Sequence, residues 1–241
     1  MKMMKLDILA FGAHPDDVEL SCSGTLLKHI KLGKKIGIID LTMGELGTRG
    51  DGETRYMEAA NAAKILGVQV RDNLKMEDGF FQNDKQSQYE IIVKIRQYQP
   101  EIVLLNSVTD RHPDHGRASQ LVSEACFYSG LRKITSSLKG KDQISWRPKA
   151  VYHYIQDRYL KPDFVVDVSE VVEHKMQAIK AFKSQFHDPD TTEPESPISS
   201  PYFLDFVKSR MSDFGRTIGV QYAEGFLVER YPGVNNLFDL V

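Results

Sequence analysis

Two patterns of apolar residues, one typical of strands and one typical of helices, alternate along the first 130 residues of the chain. Short apolar runs with the composition of buried strands lie at about 6–12, 36–42, 68–74 and 102–106. Stretches with the apolar spacing of helices lie between and after them, at about 17–32, 54–67, 88–98 and 114–129. Strands that alternate with helices form βαβ units, in which helices cover both faces of a parallel sheet. The pattern therefore predicts an α/β fold with a Rossmann-like, open and mostly parallel sheet.

The alternation weakens beyond about residue 147. Further strands are predicted near 149–155 and 164–168, and further helices near 169–184 and 201–217. The segment between these last two helices is acidic and rich in proline, which excludes regular helix or strand. We expect the C-terminal part to close the site, with a loop or lid at 187–200. A length of 241 residues is compatible with a single domain over 1–241.

Composition points to a small-molecule partner. A formal net charge of -2 and a pI near 6.4 argue against a broad surface for nucleic acid. The two cysteines, Cys22 and Cys126, lack the spacing of a zinc knuckle or a redox motif. The first apolar run is too short for a signal peptide or a membrane span, so we expect a cytoplasmic protein with no membrane contact.

Histidine and aspartate cluster directly after two of the predicted strands. His14, Asp16 and Asp17 follow the first apolar run, and His112 and His115 follow the run at 102–106. The carboxyl ends of parallel strands meet at one edge of a sheet, where ligands bind. Together the two clusters provide the ligand types of a mononuclear zinc site.

The spacing within the clusters suggests how the groups divide the chemistry. His14 and Asp17 are three residues apart and project from one side of a helical turn. Asp16 would point elsewhere, close enough to take a proton from water activated by a metal. The alternative is that Asp16 or Asp17 only caps the helix. Imidazole favours Zn²⁺ over magnesium or calcium, and two histidines with one carboxylate leave a position for water, so we expect one catalytic zinc per chain.

Four segments carry a resemblance to a known family. They are 12–20 (GAHPDDVEL), 40–50 (DLTMGELGTRG), 112–115 (HPDH) and 222–226 (YAEGF). With them the chain resembles the PIG-L/LmbE-like family of zinc-dependent N-deacetylases, and within it the branch that acts in bacillithiol biosynthesis. The resemblance implies removal of the acetyl group from N-acetylglucosaminyl-L-malate. It also implies a homo-oligomer, a hexamer built from trimers.

The family pattern assigns roles to individual residues. It implies that His14, Asp17 and His115 bind zinc, that Asp16 is the general base, and that a protonated His112 stabilises the oxyanion. It places an arginine beside Asp16 to hold the carboxylate ionised, at the position matched here by Arg147. The family also has a tyrosine that moves toward the acetyl oxygen, and Tyr202 matches it.

Substrate recognition is expected on the segment after the second strand. Arg55 matches the family's substrate-binding arginine, and a guanidinium suits the carboxylates of a malyl group. Glu45 and Arg49 are candidates to contact sugar hydroxyls or malate. For these residues the alternative is an ordinary surface charge or a packing role.

Other functions remain open from the sequence. A mycothiol-conjugate amidase or a chitooligosaccharide deacetylase would use the same zinc chemistry with a different aglycone pocket. A non-catalytic nucleotide-binding module is a weaker alternative, because the first strand is not followed by the glycine-rich turn that holds a pyrophosphate.

Overall fold

A computed structural model describes residues 4–240 and confirms the α/β fold. The strands are β1 (Ile8–Gly12), β2 (Ile36–Thr42), β3 (Val70–Met76), β4 (Ile102–Leu105), β5 (Ser137–Leu138), β6 (Lys141–Asp142), β7 (Ala150–Tyr154), β8 (Phe164–Asp167) and β9 (Ala223–Val228). The α-helices are α1 (Asp17–Ser21), α2 (Ser23–Lys31), α3 (Gly52–Leu66), α4 (Lys85–Tyr98), α5 (Pro113–Ser129), α6 (Val172–Ile179) and α7 (Phe203–Thr217). Short 3-10 turns cover Ser169–Val171 and Leu237–Asp239.

Seven strands form one mixed sheet in the order β3-β2-β1-β4-β7-β9-β8. The first five strands in this order run parallel to one another, and β9 is antiparallel to both of its neighbours. Strand order reverses between β1 and β4, because β2 and β3 lie on the other side of β1. Open α/β sheets bind ligands in the crevice at such a reversal, outside the carboxyl ends of the strands.

Alternate residues of the central strands enter two apolar clusters, one on each face of the sheet. In β1, Ile8 and Ala10 belong to the cluster that contains residues of α2, α3, α6 and α7. Leu9 and Phe11 belong to the cluster that contains residues of α4 and α5. Burial on both faces explains why these strands are nearly continuous apolar runs in the sequence.

The structure differs from the predicted elements at two helices, at β9, and at the two-residue strands β5 and β6, which were not predicted. The helix predicted over 17–32 is divided into α1 and α2 at Cys22, whose φ of -137° is not helical. The helix predicted over 169–184 ends at Ile179. Strand β9 was not predicted, because the charged Glu224 interrupts its apolar pattern.

The segment 187–200 contains neither helix nor strand, as the proline content predicts. Among the described residues, none of the helices combines the length and the apolar character that crossing a membrane requires.

Candidate active site

The ends of β1 and β4 bring the two His/Asp clusters together. These strands are parallel neighbours, with Ala10 opposite Leu104. The chain leaving β1 carries His14 and the start of α1, and the chain leaving β4 carries the start of α5. Both line one cavity of about 440 Å³ at this edge of the sheet. The predicted meeting of the two motifs is therefore present in the structure.

The three motif histidines form a compact group. Ring nitrogens of His14, His112 and His115 lie within 4.8 Å of one another. The ring centroids of His14 and His112 are 4.6 Å apart, and those of His14 and His115 are 5.5 Å apart. Three imidazoles at this spacing are a donor set suited to zinc.

Asp17 adds a carboxylate to this group. Its Oδ1 lies 3.1 Å from His115 Nε2, and its Oδ2 lies 3.6 Å from His14 Nδ1. Bonds of about 2.0–2.2 Å in a tetrahedral zinc site place neighbouring ligand atoms about 3.3–3.5 Å apart. The two distances are close to that range but involve different oxygens of Asp17, so they show that the carboxylate lies between the two imidazoles, where a metal could bind all three side chains.

The other nitrogen of each of these histidines is bound to a carboxylate. His115 Nδ1 lies 2.5 Å from Asp110 Oδ2, and His14 Nε2 lies 3.0 Å from Asp78 Oδ1 and 3.3 Å from Asp114 Oδ2. Such carboxylates fix the tautomer and the orientation of imidazoles that bind a metal. Both rings thus point their remaining nitrogen toward Asp17.

In the protein without metal, ion pairs within this group set the pKa values of His115 and Asp17. Burial lowers the pKa of His115, but Asp17 and Asp110 outweigh burial and raise it to about 9. Burial raises the pKa of Asp17, but His115 and His14 outweigh burial and hold it well below its usual range. A metal that binds these atoms therefore competes with protons.

Asp16 lines the same cavity but pairs with an arginine instead of a histidine. Its backbone has φ 112°, a conformation that residues other than glycine rarely adopt, and its side chain makes no helix-capping hydrogen bond. The alternative of Asp16 as a simple cap is therefore wrong. Its Oδ2 lies 3.1 Å from Nη2 of Arg55. Burial, opposed by Arg55, raises the pKa of Asp16 to about 7, which suits a general base near neutral pH.

Arg55 occupies the position that the sequence analysis gave to Arg147. It is 5% exposed, and its guanidinium donates to the carbonyl oxygens of Gly44 and Pro15 in addition to pairing with Asp16. Both terminal nitrogens are thus engaged by the protein. Arg55 therefore pairs with Asp16 and also lines the cavity, and its expected contact with a substrate carboxylate stays a prediction.

Arg147 lies elsewhere in the chain's structure. Its guanidinium stacks 4.2 Å above the ring of Phe127, and Nη2 donates to the Phe127 carbonyl oxygen at 2.9 Å. It lines a different cavity. The placement of Arg147 beside Asp16 is therefore wrong, and no tight motif surrounded this residue to fix its match.

His112 is the N-cap residue of α5, and its Nδ1 accepts a hydrogen bond from the Asp114 amide at 3.3 Å. Burial and the neighbouring His14 and His115 lower the pKa of His112. These neighbours favour the neutral ring in the protein without metal, and the hydrogen bond to Nδ1 places a hydrogen on Nε2. A protonated His112 during the reaction stays a prediction.

Tyr202, Glu45 and Arg49 do not line the cavity. Tyr202 is 67% exposed at the start of α7. The Glu45 carboxylate accepts from the amides of Met43 and Asp78, and Arg49 Nη1 donates to the Phe186 carbonyl oxygen at 2.9 Å. Glu45 and Arg49 thus form hydrogen bonds that hold loops together. Tyr202, Glu45 and Arg49 do not lie at the positions expected for substrate contacts.

Several site residues received no role in the sequence analysis. They are Asp78, Asn106, Asp110, Asp114 and Gln156. Each lies in the connection after a parallel strand or at the start of the following helix. The rule that located the two histidine clusters would have found them if it had been applied to every polar residue at the carboxyl edge.

Comparison with known proteins gives a family match. Residues 9–126 match the PIG-L family model, described as GlcNAc-PI de-N-acetylase. The chain is 30% identical over 240 residues to diacetylchitobiose deacetylase of Thermococcus kodakarensis, covering 94% of this chain and 84% of that protein. It is 32% identical over 175 residues to the uncharacterized deacetylase YaiS of Escherichia coli, covering 70% and 90%.

A solved structure is also similar over nearly the whole chain. The conserved protein TT1542 of Thermus thermophilus superposes with a TM-score of 0.84 at 33% identity, covering 98% of this chain and 100% of that one. The similarity therefore includes the C-terminal strands as well as the two histidine motifs.

Proposed function

The chain belongs to the PIG-L family and is a deacetylase that acts on N-acetyl amide bonds, and we propose that it is a zinc-dependent hydrolase of an N-acetylglucosamine conjugate. The observation that carries the proposal is the position of Asp16. Its carboxylate, with a pKa of about 7, lies next to a His/Asp group of zinc-binding composition in the same cavity. A base beside a metal site is the arrangement that amide hydrolysis requires.

Three residues would hold the metal, namely His14, Asp17 and His115. Bound there, a zinc ion would polarise the amide carbonyl and lower the pKa of a water molecule. His112 is not assigned as a ligand. Its Nδ1 accepts a hydrogen bond from the Asp114 amide, which supports a role in contacting the substrate.

The protein's own groups then move the protons. Asp16, oriented by Arg55, accepts a proton from the water as the water oxygen bonds to the carbonyl carbon. The Nε2–H group of His112 donates a hydrogen bond to the carbonyl oxygen as negative charge develops there, and His112 keeps its proton. The carbon–nitrogen bond then breaks, and the proton held by Asp16 passes to the amine nitrogen. The products are acetate and the free amine.

For the aglycone we propose malate. The segments 12–20, 40–50 and 222–226 support this choice, and so does the charge at one side of the cavity. Arg111 and Arg210 both line the cavity. Arg111 forms a 3.3 Å ion pair with the Asp157 carboxylate, and Arg210 donates a 3.1 Å hydrogen bond to the Asp157 backbone oxygen. Two guanidinium groups beside a sugar site suit a dicarboxylate.

A chitooligosaccharide is the second candidate for the substrate. It is favoured by the similarity to the Thermococcus diacetylchitobiose deacetylase and by Phe80, which lines the cavity and is 61% exposed. An exposed aromatic face can pack against a second sugar ring. A mycothiol conjugate is a third candidate, cleaved by the same chemistry. The nucleotide-binding alternative has no support, because His14–Asp17 replaces a glycine-rich turn after β1.

The test combines metal analysis with acetate release. We expect about one zinc per chain, and acetate release from N-acetylglucosaminyl-L-malate faster than from N,N'-diacetylchitobiose or free N-acetylglucosamine. His115→Ala should lose the metal, whereas His112→Ala should retain it and lose activity. Full metal content in His115→Ala would reject the ligand assignment. Preference for diacetylchitobiose would select the second substrate.

The assembly and location are proposals of the same kind. We propose a hexamer built from trimers, as the family resemblance implies, and a cytoplasmic enzyme, consistent with two buried free cysteines. Light scattering on the purified protein should give about six times the mass of the chain. A monomer mass independent of concentration would contradict the assembly and leave the catalytic proposal intact.

A further inference from the structure

Two side-chain amides contact both oxygens of Asp17. Asn106 follows β4 directly, Gln156 follows β7, and both are buried. Asn106 Nδ2 donates to Asp17 Oδ2 at 3.0 Å, and Gln156 Nε2 donates to Asp17 Oδ1 at 3.0 Å. Because β4 and β7 are parallel neighbours, the sheet itself holds the two amides at a fixed separation.

Other hydrogen bonds fix which way each amide points. The Asn106 Oδ1 accepts from the Ala13 amide at 2.9 Å. The Gln156 Oε1 accepts from Asn106 Nδ2 at 2.9 Å and from the Ser107 amide at 3.2 Å. Rotating either amide by 180° would place oxygen against a carboxylate and leave these donors without an acceptor. Both NH₂ groups are therefore held facing Asp17.

A carboxylate has about four hydrogen-bond acceptor positions, two on each oxygen. Oδ2 of Asp17 accepts from Asn106 Nδ2 and from the His14 amide, each at 3.0 Å. Oδ1 accepts from Gln156, and its remaining position faces His115 Nε2 at 3.1 Å. Three of the four positions are thus used by the protein scaffold.

We propose that Asn106 and Gln156 are positioning residues that limit Asp17 to a single metal-binding atom, Oδ1. The inference rests on the zinc site of the proposed function and adds to it the way in which one ligand binds. A carboxylate that offers one atom keeps the coordination number low, and a low number leaves positions for water and for the substrate carbonyl. Gln156 contacts Oδ1 directly, and its Oε1 holds the Asn106 NH₂ group that covers Oδ2. Loss of Gln156 therefore loosens the restraint on both oxygens of Asp17.

The experiment compares Gln156→Met with Gln143→Met as a matched control. Gln143 is half-buried and donates to the Val93 carbonyl oxygen, away from the cavity. Metal is removed from the parent and both variants, and Zn²⁺ affinity is measured by competition with a chromogenic chelator. Loss of a group that orients a metal ligand costs about 10- to 100-fold in affinity. We expect that loss in Gln156→Met and less than about 3-fold in the control.

A second readout uses Co²⁺ in place of zinc. Visible absorption of bound Co²⁺ weakens as its coordination number rises. We expect the strong absorption of a low-coordinate site in the parent and in Gln143→Met, and a weaker band in Gln156→Met. The thermal midpoints of the metal-free proteins, with far-UV circular dichroism, separate this effect from a loss of folding. Gln156→Leu replaces the methionine variant if that protein does not fold.

The outcomes distinguish this proposal from the proposed function. If the parent binds zinc but Gln156→Met keeps parental Zn²⁺ affinity and the parental Co²⁺ spectrum, the positioning role is wrong and the function stands. If Gln156→Met lowers only the metal-free thermal midpoint, the amides are merely structural and the proposal is also overturned. If the parent itself binds neither metal, the zinc site of the proposed function fails, and the positioning role fails with it.

Discussion

Asp16 and Asp17 are adjacent in the chain but have opposite electrostatic surroundings. Asp17 lies among histidines that hold its pKa well below the usual range, so it stays ionised. Asp16 has a left-handed backbone and pairs with Arg55, and burial, opposed by Arg55, raises its pKa to about 7. Two carboxylates with such different pKa values suit two different roles, a permanent metal ligand and a group that gains and loses a proton.

Asp16→Asn tests the second role. The amide preserves the shape of the side chain but cannot accept a proton, so we expect zinc content equal to that of the parent. Loss of general-base catalysis typically costs about 10²–10⁴-fold, and kcat should fall by that factor. Elemental analysis and acetate release measure the two quantities on one sample. Near-parental turnover in this variant would exclude Asp16 as the base.

Arg55→Ala distinguishes an orienting arginine from a substrate-binding one. Because Arg55 contacts Asp16 and backbone oxygens, we expect turnover of every acetylated substrate to fall. A hydrogen bond to a charged group contributes about 1.5–3 kcal/mol, which corresponds to roughly 10- to 100-fold. Acetate release from the malate conjugate and from free N-acetylglucosamine measures the loss, which should be similar for both.

Arg111→Ala provides the comparison. Arg111 lines the cavity from an exposed position, so its loss should reduce kcat/KM for the malate conjugate and leave free N-acetylglucosamine nearly unchanged. If Arg55→Ala instead were selective for the conjugate, Arg55 would be the residue that binds malate, as the sequence analysis first expected.

Among the helices and strands, the spacing of apolar residues and the polar residues that follow the strands predicted most of the elements that position the site. Strands β1 and β4, which precede His14 and His112, were placed from their apolar runs alone. The pattern could not identify β9, because Glu224 is charged and its two partners, Lys175 and the start of α2, are distant in the sequence. The error over Arg147 has a similar cause, since the guanidinium beside Asp16 comes from α3, a helix that no motif linked to Asp16.

The loop between β2 and α3 fixes the position of Arg55. Gly44 has φ +68°, and a Cβ atom at this residue would overlap the Arg55 guanidinium. Gly44→Ala should therefore displace Arg55 and reduce kcat on all substrates by about 10-fold or more, as expected for a change that misplaces a catalytic group. Unfolding in urea should show a loss of about 1–3 kcal/mol, from backbone strain together with the overlap.

Gly67→Ala is the matched control for this loop. Gly67 also has a left-handed φ, +75°, but a Cβ atom there would meet no neighbour within 4 Å. The substitution carries only the backbone strain, of about 1 kcal/mol, and activity should be preserved. Equal effects of the two substitutions on turnover would show that contact with Arg55 is not what Gly44 protects.

At the scale of the whole molecule, the sheet is completed by residues from both halves of the chain. Strand β9 lies between β7 and β8, and its Glu224 accepts from the amides of Gly24 and Thr25 at the start of α2. Lys175 of α6 donates to Glu224 at 2.7 Å and to the Leu20 carbonyl oxygen at 2.9 Å. These buried contacts support the proposal that residues 1–241 form one domain.

Lys175→Met tests that proposal. The substitution leaves the buried Glu224 without its cation, and breaking a buried ion pair costs about 3–5 kcal/mol. We expect this loss in urea unfolding followed by Trp146 fluorescence and by circular dichroism. The two probes should still report one coincident transition, because removing β9 contacts weakens a sheet shared by both halves.

Lys149→Met is the control, since Lys149 pairs with Glu101 at the surface. Exposed pairs contribute about 0–1 kcal/mol, so this variant should unfold close to the parent. Separate transitions for the two probes in the parent would instead mean that the N- and C-terminal halves fold independently. In that case Glu224 would join two domains, and Lys175→Met should lower the urea midpoint of the less stable domain only.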